Sequence, residues 1–289
     1  MKASPLSNGS GRIGASQVRD QLRQIILDGT LSPGAVISQK QLAQELGIGR
    51  TPLREALRLL QEEGLVHAEL NQRVRVAQLD VVNLEELYAS RIMLETLALA
   101  LTIPYLTPAD FEALETLLQQ MHVAGKQKDV NTWEERNKQF HSILSAHVEG
   151  QLHEAIQRFL TGSERYRRLM VISTERVWEV GEAEHAEIVL ACREGKQQVA
   201  MEKLARHLAR TALTLIAQIA PEYEPTIVRT ALRIFTGDAG SSAEWREIEL
   251  EQKKGLKSPQ TTLTVRRANL ETERGTRSTK KRARQELQP

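Results

Sequence analysis

Three histidines, one asparagine and a ladder of arginines carry the spacings in this 289-residue chain that could do chemistry. Asn137 and His141 stand four residues apart in a helical stretch, so both project from one face. His185 lies within Glu184-His185-Ala186-Glu187-Ile188-Val189, and His207 follows on the next helical stretch. An antiparallel pair of helices would bring those two rings to one level. Three imidazoles and one amide oxygen make a plausible shell for a divalent metal with open positions, since imidazole suits Zn, Ni, Cu and Fe. The plainer alternative is a set of ordinary half-buried histidines, and spacing alone leaves it open.

The arginines suggest a different chemistry. Arg50, Arg54 and Arg58 step by four along one side of a stretch whose other side is Leu53, Ala56, Leu57 and Leu60. Arg50 and Arg54 fall in the first turn, where a guanidinium fork can bond guanine bidentately and a helix N-terminus favours phosphate. Thr51 and Ser38 can donate hydroxyl hydrogen bonds to phosphates at helix starts. A solvated basic face is the alternative for any one of these residues. The preceding helix, the tight turn and the hairpin that follows tilt the set toward DNA.

The elements that position these groups follow from periodicity and breakers. Val18, Leu22, Ile25 and Ile26 predict a helix over about 16–28, ended by Gly29 and the turn Leu31-Ser32-Pro33-Gly34. A second helix is expected from Ser38, with Ser38 and Gln41 as a capping box, and it stops at Gly47. A third is expected with Thr51 as its cap and Pro52 early in its first turn, closed by Gly64. Two extended runs, 66–70 and 73–76, meet at a tight turn near Asn71-Gln72. Three short helices and a hairpin make a winged helix-turn-helix.

From Leu79 the pattern is helical, with helices expected at 81–101, 108–125, 130–148, 152–172, 175–194 and 197–219. The fold class is therefore mainly α: an N-terminal winged helix-turn-helix and a C-terminal antiparallel all-α bundle. The expected domains are a flexible leader over 1–15, the head over 16–78, the bundle over 79–222, and an extension over 223–289. Residues 226–235 could form one short helix in that extension; the rest of it, poor in large apolar groups, reads as disordered.

Composition excludes some classes. Hydrophobic residues make up 40% and aromatics only 4%, which suits packed helices. The single cysteine, Cys192, excludes an internal disulfide and a cysteine-built zinc site, and reads as a small apolar residue. No apolar run of bilayer length is expected, and Met1 to Gly14 lack a signal-peptide core, so the expectation is a cytoplasmic protein with no membrane partner. Charge is uneven. Residues 1–78 hold 10 Lys/Arg against 7 Asp/Glu, 79–250 hold 18 against 26, and 251–289 hold 11 against 4. A basic head on an acidic body fits a protein presenting one end to a polyanion. The run Lys280-Lys281-Arg282-Ala283-Arg284 could add phosphate contacts or be a dispensable solvated extension.

The stretch Ile37 to Ile48, followed by Gly49-Arg50-Thr51-Pro52-Leu53-Arg54-Glu55-Ala56-Leu57, resembles the GntR family of bacterial regulators, and the likeness runs through Glu63-Gly64-Leu65-Val66. In that family the positions matching Lys40, Arg50, Thr51 and Arg54 contact DNA; Arg58 is added here from helix geometry. Two departures stand out. Gly49 replaces the usual Ser or Thr at the turn into the recognition helix, and Arg73 replaces the usual wing-tip glycine. A side chain at Arg73 could enter a narrow minor groove.

Residues 79–220 resemble the FadR-type, or FCD, branch. The pieces are Glu86 to Glu95, Asn137-Lys138-Gln139-Phe140-His141, Glu184-His185 and His207-Leu208. The resemblance implies a metal of Zn, Ni or Mn type on Asn137, His141, His185 and His207, with a small organic acid as effector. Arg91 is a candidate partner for the effector's carboxylate, with an ion pair to Glu95 equally open. Arg165, Arg167 and Arg168 could also meet that carboxylate, though nothing separates them from a solvated basic face, and His67, His122, His147 and His153 read as surface or capping residues. The implied function is a non-enzymatic regulator, repressing as a homodimer on palindromic double-stranded operator DNA. The alternatives are a metal-dependent hydrolase using the three histidines and an effector-independent DNA-organising protein.

Overall fold

The computed structural model describes residues 14–173 and 176–237. The leader before residue 14 and the basic tail after 237, Lys280 to Arg284 included, lie outside the described residues. The head comprises α1 (Ala15–Leu27), β1 (Val36–Ser38), α2 (Gln39–Leu46), α3 (Arg50–Glu62), β2 (Val66–Glu69) and β3 (Arg73–Val76). Its core is the apolar side of the helices: Val18 and Leu22 of α1 against Leu53, Ala56 and Leu60 of α3, all buried.

The three strands pair antiparallel in the order β1-β3-β2, with Ser38 opposite Arg73 and Glu69 opposite Arg73 on the other side. Asn71 and Gln72 both have positive φ, 59° and 54°, within the three-residue connection 70–72 that separates the paired Glu69 and Arg73. The Gln39 N–H donates to the Gln72 carbonyl at 3.0 Å, which ties the wing tip to the start of α2. β1 was not expected: three residues are too few to show an alternation.

Two expected caps do not form. The Ser38 side chain makes no cap hydrogen bond, because its backbone is drawn into β1, and Gln41 donates instead to Glu45 at 2.8 Å. Gly49 takes the N-cap position of α3, so Thr51 sits inside the first turn rather than at its start.

The bundle comprises α4 (Val81–Thr102), α5 (Pro108–Gln127), α6 (Val130–Leu144), α7 (Gly150–Ser173), α8 (Arg176–Arg193), α9 (Gln197–Ile219) and α10 (Thr226–Thr236). α4 is the central helix, packed on α7, α9 and α10. Contrary to expectation, the segment Val81–Tyr105 is long and apolar enough by composition to cross a bilayer, with mean hydropathy 1.2. More than half of that window is buried inside the fold, and Glu85, Arg91 and Glu95 are buried with it. Gly162 of α7 lies where an added Cβ would meet Leu87 of α4 at 3.2 Å, so its missing side chain lets the two helices approach.

α10, within the stretch assigned above to the extension, packs Val228, Ala231 and Leu232 against α4 and α9. Its start is held by Glu85 of α4, which is fully buried. Glu85 accepts from Tyr223 Oη at 2.5 Å and from the backbone N–H groups of Ile227 and Val228 at 2.6 and 3.2 Å. A carboxylate there meets the positive end of the helix.

Head and bundle meet through polar groups. Arg23 of α1 pairs with Glu63 of α3 at 3.1 Å and with Glu164 of α7. Gln24 donates to Asn131 at 3.1 Å, and Arg165 donates to the Gly64 carbonyl at 3.1 Å.

Candidate metal centre and nucleic-acid interface

On the head, Lys40, Arg50, Thr51, Arg54, Arg58 and Arg73 are all exposed. Lys40 opens α2, Arg50 and Arg54 occupy the first two turns of α3, and Arg73 begins β3 beside the wing turn. Their surroundings differ. Arg58 is ion-paired with Glu62 one turn on, and Arg75 with Glu69 at 2.7 Å. Lys40, Arg50, Arg54 and Arg73 have no hydrogen-bond or ion-pair partner among the described residues. A cation without an internal partner exchanges only counterions and water when it meets a phosphate. The geometry thus separates Arg58, already neutralised locally, from the four free cations.

In the bundle, the rings of His141 (α6), His185 (α8) and His207 (α9) converge, each offering one nitrogen within 4.8 Å of the others, and all three are buried. The i,i+3/i+4 apolar faces of these helices turn the rings inward: Phe140 lies 4.5 Å from the His185 ring, centroid to centroid. His185 Nε2 and His207 Nε2 stand 3.1 Å apart. Asn137, one turn before His141, is also buried, with its amide nitrogen unpartnered.

Two carboxylates fix the rings. Glu184 Oε2 meets His207 Nδ1 at 2.7 Å and is itself held by Arg210. Glu95 Oε2 stands 2.9 Å from His141 Nδ1, ion-pair distance, though the angle is outside hydrogen-bond alignment. Burial drives the imidazoles toward the neutral form: His141 falls to about 4 against the pull of Glu95, His185 falls well below its usual range, and His207 falls despite Glu184. Burial alone would raise Glu95, but Arg91 and His141 outweigh it and hold the carboxyl far below the usual range.

The donor set fits a divalent ion. Neutral imidazoles are the ligand form, and backing carboxylates on Nδ1 leave Nε2 lone pairs free. Two nitrogens bonded to one ion at about 2.0–2.1 Å, at tetrahedral or octahedral angles, stand roughly 2.8–3.4 Å apart, which brackets the observed 3.1 Å. The His185 Nδ1 and the Tyr88 hydroxyl are buried without partners, so the polar interior is incomplete as it stands.

Residues 15–76 match the profile of bacterial regulatory proteins, gntR family, and residues 86–210 match the FCD domain. A gntR-family DNA-binding domain is thus followed by an FCD domain. YdhC of Bacillus subtilis, an uncharacterized HTH-type transcriptional regulator, is 35% identical over 129 residues, 44% of this chain and 58% of YdhC. The HTH-type transcriptional regulator McbR of Escherichia coli is 34% identical over 114 residues, 39% of this chain and 52% of McbR. The chain thus matches little more than half the length of these curated relatives. Among solved structures, E. coli McbR/YncC superposes with a TM-score of 0.61 at 24% identity, over 71% of this chain and 97% of that one. A GntR structure from Rhodococcus sp. RHA1 gives 0.58 at 25% identity, over 73% and 99%. The first of these likenesses speaks for the fold alone.

Around the histidines of this FCD domain, not all of the ordering groups were legible in the sequence. Arg91 is 1% exposed and engaged by Glu95 at 2.5 Å and by Ser163 at 3.1 Å. The ion pair weighed in the sequence therefore forms. Arg167 and Arg168 are buried rather than solvated: Arg167 pairs with Glu134 of α6 at 2.8 Å, and Arg168 with Glu164 at 2.9 Å. The sequence offered Glu95 only as a partner for Arg91 and Glu184 only as part of a motif, and Ser163 and Glu134 carried no expectation. Glu184 directly precedes His185, and Glu95 lies four residues after Arg91, so spacing signalled both; the α6–α7 pair had no local signal. Of the remaining histidines, His122 pairs with Glu182 at 2.8 Å and His147 stacks on Tyr105, both away from the site. Cys192 is buried, and burial pushes its thiol up to about 12, consistent with a packing role.

Proposed function

We propose that this chain is a DNA-binding transcription regulator, a repressor, whose hold on operator DNA is set by a small organic acid bound in the FCD bundle. The observation that carries the second half is the convergence of His141, His185 and His207 with unpartnered buried atoms around them. The four unpaired cations of the head carry the first half, with Lys40, Arg50 and Arg54 toward the major groove and Arg73 at the wing. Likeness to relatives with names such as gluconate operon transcriptional repressor, from B. subtilis at 27% identity over 128 residues, supports the same reading.

His141, His185 and His207, with Asn137 as fourth donor, would hold a divalent ion of Zn, Ni or Mn type. Such an ion supplies Lewis-acid positions that take a carboxylate. The chain's own residues prepare the place. Glu184 and Glu95 orient two of the rings, Phe140 and neighbouring apolar groups exclude water, and burial keeps the imidazoles free of protons. Arg91 contributes through Glu95 rather than by a free guanidinium. Both carboxylates beside the rings are held well below their usual range, which makes them weak bases and argues against a hydrolase.

In this reading the protein works as a homodimer in the cytoplasm, with two heads on a palindromic site. Met93, Leu97 and Leu101, half exposed at four-residue intervals along α4, offer an apolar stripe for a second copy. The test is footprinting on DNA upstream of the protein's own coding sequence, with and without Zn2+ and a panel of small carboxylic acids. A footprint that weakens with one acid only in the metal-loaded protein supports the proposal. Turnover of a substrate without any footprint would sink it.

A further inference from the structure

A run of buried polar contacts leads from the histidine site to α7, whose next residues reach the head, and one hydroxyl sits where the run meets that helix. From the site outward, His141 stands 2.9 Å from Glu95, and Glu95 grips Arg91 at 2.5 Å. Arg91 Nη1 donates to Ser163 Oγ at 3.1 Å. Arg167 Nη1 donates to the same oxygen, and Arg167 is held by Glu134 at 2.8 Å. Ser163 Oγ in turn donates to the Leu160 carbonyl at 2.8 Å. A hydroxyl has one proton to give and two lone pairs to offer, so every capacity of Ser163 is used. The residue is fully buried.

The next residue along α7 faces the other way. Glu164 receives Arg23 of the head and Arg168 at 2.9 Å, and Arg165 reaches the Gly64 carbonyl at the end of α3. One stretch of helix therefore presents 163 and 167 to the ion pairs beside the histidines, and 164 and 165 to the head. In a helix the residues four apart share a face and adjacent ones do not, so a small turn or slide of α7 moves both faces together. Buried guanidiniums resist gradual rearrangement, because parting from a carboxylate leaves a bare charge.

We propose that Ser163 is the positioning residue that couples the three-histidine site to the DNA-binding head, by locking the Arg91–Glu95 pair of α4 to the segment of α7 that grips Arg23. This rests on the reading of the histidines as a metal site. Drawing His141 onto an ion shifts its contact with Glu95, and Arg91 passes the shift to α7 through the shared hydroxyl.

The test uses the full chain and Zn2+ alone. Backbone hydrogen exchange is followed in α1 around Arg23 and at the end of α3, with and without the ion, while Zn2+ affinity is measured separately by competition with a chromophoric chelator. In the unaltered chain, Zn2+ is expected to change exchange in α1 by about fivefold or more, the lower range of typical couplings. Ser163→Ala is expected to bind Zn2+ within about threefold of the unaltered affinity and to lose the change in α1, keeping it near the histidines. If Ser163→Ala does not fold, Ser163→Cys keeps the side-chain shape at a slightly larger volume and replaces the hydroxyl with a weak acceptor. A role in packing alone would raise exchange equally with and without the ion. Zn2+ binding to the variant with an intact response in α1 overturns the coupling role and leaves the metal site standing. Failure of the unaltered chain to bind Zn2+ overturns the metal reading, and the coupling with it.

Discussion

Glu184 holds the Nδ1 edge of His207 at 2.7 Å, so the opposite nitrogen of that ring is the one that meets His185 at 3.1 Å. The carboxylate is kept ionised, near 2, because hydrogen bonds from His207 and Arg210 overcome the cost of its burial. A backing carboxylate of this kind sets tautomer and orientation and makes the far nitrogen a better donor. Glu184→Gln preserves shape and removes the charge. Zn2+ affinity should fall by about 10–100-fold, read by chelator competition; an unchanged affinity would mean that the carboxylate does not support the site.

The head offers a contrast between cations. Arg50 and Arg54 have no partner among the described residues, whereas Arg58 is spoken for by Glu62. Arg50→Ala and Arg54→Ala should each cost about 1–3 kcal/mol of operator binding and lower the salt slope by about one. Arg58→Ala should cost well under 1 kcal/mol, since an exposed helix pair contributes little and its arginine is already balanced. Fluorescence anisotropy at several salt concentrations measures all three. Equal losses at 54 and 58 would contradict the distinction.

At the joint, acid should act through Glu164. Burial would raise its pKa, but Arg23 and Arg168 more than offset this, so the folded value lies below the ordinary 4.5. A depressed carboxyl contributes stability above its unfolded value and loses it as pH falls through the folded one. Melting curves of the native chain and of Glu164→Gln should therefore lie apart above about pH 4.5 and draw together in stronger acid. A constant separation at every pH would assign the difference to packing.

The polar anchoring at the start of α10 rests on Glu85, 138 residues before its Tyr223 partner, while Val228, Ala231 and Leu232 supply the apolar contacts. Glu85→Ala leaves two helix N–H groups and a phenol without their acceptor, at a cost of about 2 kcal/mol or more, since each bond to an ionised group contributes about 1.5–3. Denaturant unfolding reads the total. Trypsin should also cut at Arg229 or Arg233 of the variant before the rest of the bundle opens.

How much of this was legible follows from where the signals lie. Helix faces were readable because apolar residues recur every three to four positions, as in Leu53, Ala56, Leu57 and Leu60. Spacing alone left His141, His185 and His207 open as ordinary half-buried histidines; the resemblance to FCD domains is what singled them out as a set, and the fold brings them together. The caps at Ser38 and Thr51 were misread because β1 competes for Ser38, and because Gly49 satisfies the cap geometry without a side chain. Arg167 resembled a surface cation since its partner Glu134 comes from another helix. α10 looked detachable since Glu85, its anchor, belongs to a distant segment. Long-range pairing of charges is what a linear pattern conceals.

The missing side chain at Gly162 has a consequence of its own. One added carbon there would press on Leu87, which would have to yield by a few tenths of an ångström. Ser163 is the next residue, so the same wedge would lengthen its reach to Arg91 without altering any charge or donor. Responsiveness in such a regulator can thus be graded by the thickness of a helix seam, a dial that mutation can turn while the ligand site and the DNA-reading surface stay untouched.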